Sequence, residues 1–224
     1  MGTTVPDSYQ LLRFAHVLLF AYWLGADLGV FLAGGVMSRP GLPVAERNRV
    51  RGLLMAIDLA PRIALIGTLP VGFQLALSWG APLPATWMPM VWAGAAAWIA
   101  MARLIHFSHG SPVVASLLQF DLWLRVLLLA AFSLLVWRGS SDAASQIPRW
   151  LILKFVIVAV IVVDGMVLRV YSGRWRLAME RFAAGDVPGG EALLRIRRRK
   201  AATAALIMWA LVAVAAFLGA VKPV

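Results

Sequence analysis

A histidine, a tryptophan and an aspartate, His16, Trp23 and Asp27, fall on one stripe of the first apolar segment of this chain. At about 100° per residue their spacings put them within roughly 40° of one line, and Gly34 lies on the same stripe. His and Asp are costly in lipid, so that face is expected to turn inward. A neutral imidazole there is a candidate axial ligand for haem iron, with Trp23 lining the same pocket. Lys154 stands about four residues from one end of the fifth apolar segment, and His16 about five residues from the matching end of the first; both are then roughly 6–9 Å below that surface and can share a layer. A lysine in that layer could meet a carboxylate such as a haem propionate, stand opposite the iron or act as an acid. The blander alternatives are a packed core histidine and a lysine that snorkels to the interface.

Further polar residues lie deeper. Asp27, Asp58 and Asp164 fall in the other half of their segments, and Asp58 and Arg62, four apart, can pair on one helix. Pro61 and Pro70 each remove a backbone donor, which predicts a kinked second segment lining a polar cavity. Asp27, Asp58, Arg62 and Asp164 could relay protons or hold an ionised substrate, or could simply neutralise one another. His106 and His109 form an H-x-x-H, and with Asp121 they could hold a transition metal. Alternatively Asp121 pairs with Arg125 across one helical turn.

The elements that must position these residues follow from composition. The chain has 224 residues, 62% hydrophobic and 14% charged, with no cysteine and a net charge of +11. A soluble domain carries about a quarter charged residues. The apolar excess excludes a soluble globular enzyme, a disordered tail and a fibrous repeat. The lack of cysteine excludes disulfides, thiolate metal sites, cysteine nucleophiles and c-type haem attachment. About 20 apolar residues cross a bilayer as a helix, and six such spans are legible: Leu11 to Gly35, Leu53 to Trp79, Met88 to Ile105, Val113 to Trp137, Trp150 to Val170 and Ala201 to Val221. The fold class is therefore all-α, a single polytopic membrane bundle. The first span is too long, and lacks the basic n-region, for a cleaved signal peptide.

Arginines and Lys200 concentrate in the loop after the first span (Arg39, Arg47, Arg49, Arg51) and in the loop before the sixth (Arg174 to Lys200). The positive-inside rule puts these loops in the cytoplasm and both termini on the periplasmic side of a bacterial inner membrane. The positive charge then faces anionic lipid rather than nucleic acid. Between Arg174 and Gly190, apolar residues alternate with basic ones, which predicts a short helix lying on the inner leaflet. Trp79, Trp87, Trp92, Trp137, Trp150 and Trp175 fall near span ends, as an aromatic belt requires. The small-residue run Ala93 to Ala97 predicts close helix packing.

Four segments together resemble a known family. His16 and Trp23 in FAHVLLFAYWLG, the second span LLMAIDLAPRIALIGTLPVG with Met55, Pro61 and Gly72, the Trp150-Leu-x-x-Lys154 helix, and the Val-Lys-Pro ending are similar, in the same order, to HemJ-type protoporphyrinogen IX oxidases of bacterial membranes. The similarity covers residues 10–79 and 148–224, with 84–140 as an inserted helical hairpin. Gly165 stands where that family has a second histidine, and its Asn-Glu-x-Pro is absent from RIRRRKAATAAL. The resemblance implies a membrane bundle that binds haem b and a redox enzyme acting on a porphyrinogen. It also implies functional roles for His16 and Lys154. A membrane electron carrier, a quinone or a respiratory-chain component, would be the redox partner, and a homo-oligomer is compatible with the pattern. The first span is also similar to copper-resistance-D membrane proteins, which implies the alternative of copper or small-solute transport using His16, Met37, His106 and His109. A non-catalytic subunit of a membrane complex is a third reading.

Overall fold

A helix of 30 residues is about 45 Å long, and the hydrocarbon core of a bilayer is about 30 Å thick. The computed structural model describes residues 7–108, 111–141, 146–173 and 175–222. Within them the chain is all-α, with six helices long and apolar enough to cross a membrane. Helix α1 covers Ser8–Met37, α2 Val44–Ser78, α3 Met88–Phe107, α4 Pro112–Ser141, α5 Arg149–Gly173, α6 Trp175–Ala183 and α7 Val187–Val221. The chain is an integral membrane protein, and outward side chains such as Phe14, Leu32, Leu127 and Phe217 meet lipid. Most helices run past the expected spans. The excess is largest at the basic end, where α2 starts at Val44 and α7 at Val187, so the run Arg195 to Lys200 is helical.

The termini of the helices have local causes. The Asp7 carboxylate accepts the Gln10 amide at 2.7 Å and starts α1, and Asp186 accepts the Gly189 amide at 2.9 Å and starts α7. Such caps are each worth about 1 kcal/mol. Gly185, at φ +82°, makes the left-handed turn after α6 that lets the chain reverse into α7.

Two helix pairs form the heart of the bundle, α1 on α2 and α5 on α7, with α3 flanking α2 and α4 flanking α5. Helices α3 and α4 pack more on these neighbours than on each other, so the segment expected as an inserted hairpin is divided between the two sides of the bundle. Phe73, Phe132 and Phe155 stack with centroids 5.8–6.0 Å apart and bind α2, α4 and α5 together. Helix α2 continues as one α-helix through both Pro61 and Pro70.

At the basic end Arg47 is 1% exposed. It donates to the carbonyls of Leu42 and Met37 at 3.0 and 2.7 Å and to the Glu191 carboxylate at 2.7 Å, and its guanidinium lies 4.8 Å from the Phe182 ring centroid. One arginine thus ties the α1–α2 connection to α6 and α7. Helix α6 forms where a short helix is expected, and its apolar face packs on the protein. Ala178 and Phe182 are buried against Met37 and Leu194, and Arg176, Leu177, Glu180, Arg181 and Ala183 face outward. Gly190 permits this docking, because a Cβ there would come within 2.8 Å of the Phe182 ring. The apolar face of α6 is spent on protein rather than lipid.

Candidate functional site

A cavity of about 450 Å³ lies at the end of the bundle away from the basic loops, among α1, α2, α5 and α7. Its volume falls in the range of small-molecule sites, about 300–1,000 Å³. Each helix contributes one stripe. On α1 residues 13, 16, 20 and 23 recur at helical spacing, so consecutive turns of one face line the wall. Helix α2 runs antiparallel to α1 and presents Trp79, Gly72 and Leu65 in the reverse order; α5 presents Trp150, Lys154 and Ile161, and α7 presents Lys222, Gly219 and Val212.

The result is three layers. Tyr9, Arg13, Trp79, Trp150 and Lys222 form the mouth. His16, Gly72, Lys154 and Gly219 form the middle. Phe20, Trp23, Leu65, Ile161 and Val212 form an apolar floor. The walls are mostly apolar, and among the described residues no Asp or Glu lines the cavity.

The middle layer is shaped around two side chains. A Cβ on Gly72 would lie 3.3 Å from His16 Cε1, and one on Gly219 would lie 2.7 Å from Lys154 Nζ. Two glycines thus leave room for the imidazole and the amine. His16 Nδ1 is buried with no hydrogen-bond partner among the described residues. A buried polar atom without a partner costs about 1–3 kcal/mol. That cost is unusual for a histidine serving only as core packing.

The mouth is closed in by rings. Trp79 and Trp150 meet edge to face with centroids 5.9 Å apart, and Lys222 Nζ stands 3.7 Å from the Trp79 centroid. These two tryptophans, expected as membrane-belt residues, line the cavity as well. Tyr9 and Arg13 are not among the residues the sequence singles out, and Lys222 enters there only as part of the Val-Lys-Pro ending. The signal for Arg13 was present, since it lies one turn from His16 on the same stripe.

The structure divides the remaining candidates. His16, Trp23 and Lys154 share the cavity. Asp27, Asp58, Arg62 and Asp164 lie beyond its floor, toward the basic end, where Ile161, Met208 and Val212 with Phe20 and Trp23 pack as a plug. In that deeper layer Asp27 accepts a hydrogen bond from Trp209 Nε1 at 2.7 Å, and Asp58 is paired with Arg62. Asp164 Oδ2 is buried with no partner among the described residues. Asp27 lies near enough to Asp58 and Asp164 for their negative charges to act on one another. Trp209, which holds Asp27, was not singled out in the sequence. It lies 182 residues away, and nothing local links them.

Of the three residues expected to form a second metal site, Asp121 is held by nitrogen donors. Asp121 Oδ1 accepts from Trp98 Nε1 at 2.8 Å, and Oδ2 accepts from Arg125 Nε at 2.8 Å and from Arg169. Both oxygens are engaged by nitrogen donors that tie α3, α4 and α5 together. His106 packs edge-on against Phe107 at 4.8 Å, and His109 lies outside the described residues. Among the described residues no group of three or more His, Cys, Asp or Glu side chains is placed to hold a metal ion.

Comparison with family models, with curated proteins and with solved structures gives no match for this chain.

Proposed function

We propose that the protein is a b-haem-binding redox protein of the bacterial inner membrane, related to HemJ-type protoporphyrinogen IX oxidases, with His16 as axial ligand. The observation that carries this reading is the convergence of His16 and Lys154, from helices 138 residues apart in sequence (154 − 16), on one apolar cavity. The residues fit the group. A porphyrin needs apolar walls, a nitrogen donor to the metal and cations for its carboxylates. The cavity has Phe20, Leu69, Phe73 and Val158 as walls, an imidazole with a partnerless buried nitrogen, and Arg13, Lys154 and Lys222. When bound, haem supplies one-electron redox chemistry whose potential depends on its axial ligands and on burial.

The chain's own residues then have separate tasks. Trp23 closes the pocket from below. Lys154 stands in the His16 layer, where it holds a carboxylate or faces the metal. Asp27, Asp58, Arg62 and Asp164 hold protons or an ionised substrate on the other side of the floor. The basic loops lie in the cytoplasm under the positive-inside rule, so the cavity faces the periplasmic side with both termini. A quinone or a respiratory-chain component is the electron partner, since no flavin or nicotinamide motif is legible.

The test is the absorption spectrum of the purified protein with pyridine haemochrome analysis. A Soret band and protohaem are expected. Colourless, iron-free protein from haem-replete cells would falsify the reading, and copper in place of iron would point to transport of the copper-resistance-D kind. A second expectation concerns the wall. Gly72→Leu puts a branched side chain where even a Cβ crowds His16, and haem per protein should fall severalfold or more. Gly25→Leu, on the same helix as His16 but with nothing within 4 Å of its Cβ, should leave the content unchanged. Equal haem content in both variants would remove Gly72 from the site.

A further inference from the structure

Three cations line the cavity, and among the described residues no carboxylate does. Among the described residues Arg13, Lys154 and Lys222 make no ion pair with any Asp or Glu. Lys154 and Lys222 are close enough that their positive charges repel. Where the surroundings are apolar such charges interact more strongly than in water, and among the described residues only the Trp79 ring, beside Lys222, is placed to offset one of them. They also differ in depth. Arg13 and Lys222 each stand three residues toward the surface from His16 and Gly219, which is roughly 4–5 Å along a helix.

We infer that Arg13 and Lys222 are the carboxylate-binding residues of the cavity, holding the two propionates of a tetrapyrrole at the open end. This rests on the haem reading above and adds an orientation to it. The propionates point outward at the mouth, the macrocycle enters the apolar interior edge first, and the metal lies at the depth of His16. Lys154, one turn deeper than the propionates, is thereby free to face the macrocycle. The ligand class follows from the same charges: a flat apolar body with at least two anionic groups at one edge. A lipid phosphate with its acyl chain in the cavity would offer the same anionic chemistry, and the test separates the two.

The experiment titrates haem and haem dimethyl ester, whose propionates are blocked, into haem-free protein in neutral detergent and follows the Soret band. Wild type should bind haem roughly tenfold to a hundredfold more tightly than the ester, as charge-assisted contacts to two carboxylates require. The double variant Arg13→Gln, Lys222→Gln should lose that preference and keep its affinity for the ester, which also shows that it folds. Phosphatidylglycerol added to the detergent should leave the haem affinity of wild type unchanged.

Equal affinity of wild type for haem and ester overturns this inference and leaves the haem reading standing. Binding of neither overturns the haem reading itself. If phosphatidylglycerol weakens haem binding to wild type but not to the double variant, the cations belong to a lipid phosphate and the propionate assignment fails.

Discussion

His16→Ala should remove the Soret band from the purified protein, and His16→Gly should regain it when free imidazole is added. The argument is one of supply. The chain has three histidines; of the other two, His106 belongs to the far end of α3 at the basic end of the bundle, and His109 follows it three residues later in the sequence. Among the described residues no second imidazole lines the cavity. The glycine variant leaves a ring-sized space beside Gly72, already kept free of a Cβ, so exogenous imidazole has a place to bind. Imidazole rescue separates ligation from folding, because a variant that had lost the cavity could not be rescued. Lys154→Ala should keep the band and shift its position or its redox potential, since the amine stands in the same layer without being the sole donor. The measurement is Soret absorbance per protein, with haemochrome quantification. A full band in His16→Ala would move the metal, and with it the function, elsewhere in the bundle.

The six spans were legible because about 20 apolar residues in a row have few other uses, and the shared depth of His16 and Lys154 was legible because helical rise converts position into depth. Partners close on one helix were legible too, as with Asp58 and Arg62 or Asp121 and Arg125. What the chain hid was lateral placement. Trp79 and Trp150 read as an interfacial belt because a residue at the mouth of a cavity and one at the lipid boundary sit at the same depth with the same chemistry. Only the packing of α2 against α5 turns their rings toward each other. Arg169 reaches Asp121 from 48 residues away, and Trp209 reaches Asp27 from 182. Helix α6 shows a related limit. Its alternating basic and apolar residues fit a lipid surface as well as they fit the socket that Met37, Leu194 and Gly190 provide. Amphipathicity states that an apolar face is covered, and leaves open by what.

The second large effect belongs to Asp121, outside the cavity. Its carboxylate is 2% exposed and joins three donors from three helices: Trp98 of α3, Arg125 of α4 and Arg169 of α5. Replacing it with alanine takes the shared carboxylate away from the Arg125 and Arg169 guanidinium groups. Removing one partner of a buried ion pair costs about 3–5 kcal/mol, because the remaining charge is desolvated and unmatched. Asp121→Ala should therefore unfold in detergent at a much lower temperature than wild type, while any protein that remains folded keeps its haem content, since the cavity is lined by other residues. Asp121→Asn keeps an acceptor for Trp98 and loses only the charge, so it should fall between the two. Asp121→Leu combined with Arg125→Leu should recover part of the loss, as removing both partners leaves no orphan in α4; the Arg169 side chain is 30% exposed. The same series decides between a structural and a metal-binding carboxylate. An ion held by Asp121 would make a chelator reproduce the instability of Asp121→Ala in wild type. An arginine clamp makes the chelator inert, because the three helices are joined by nitrogen donors that it cannot remove.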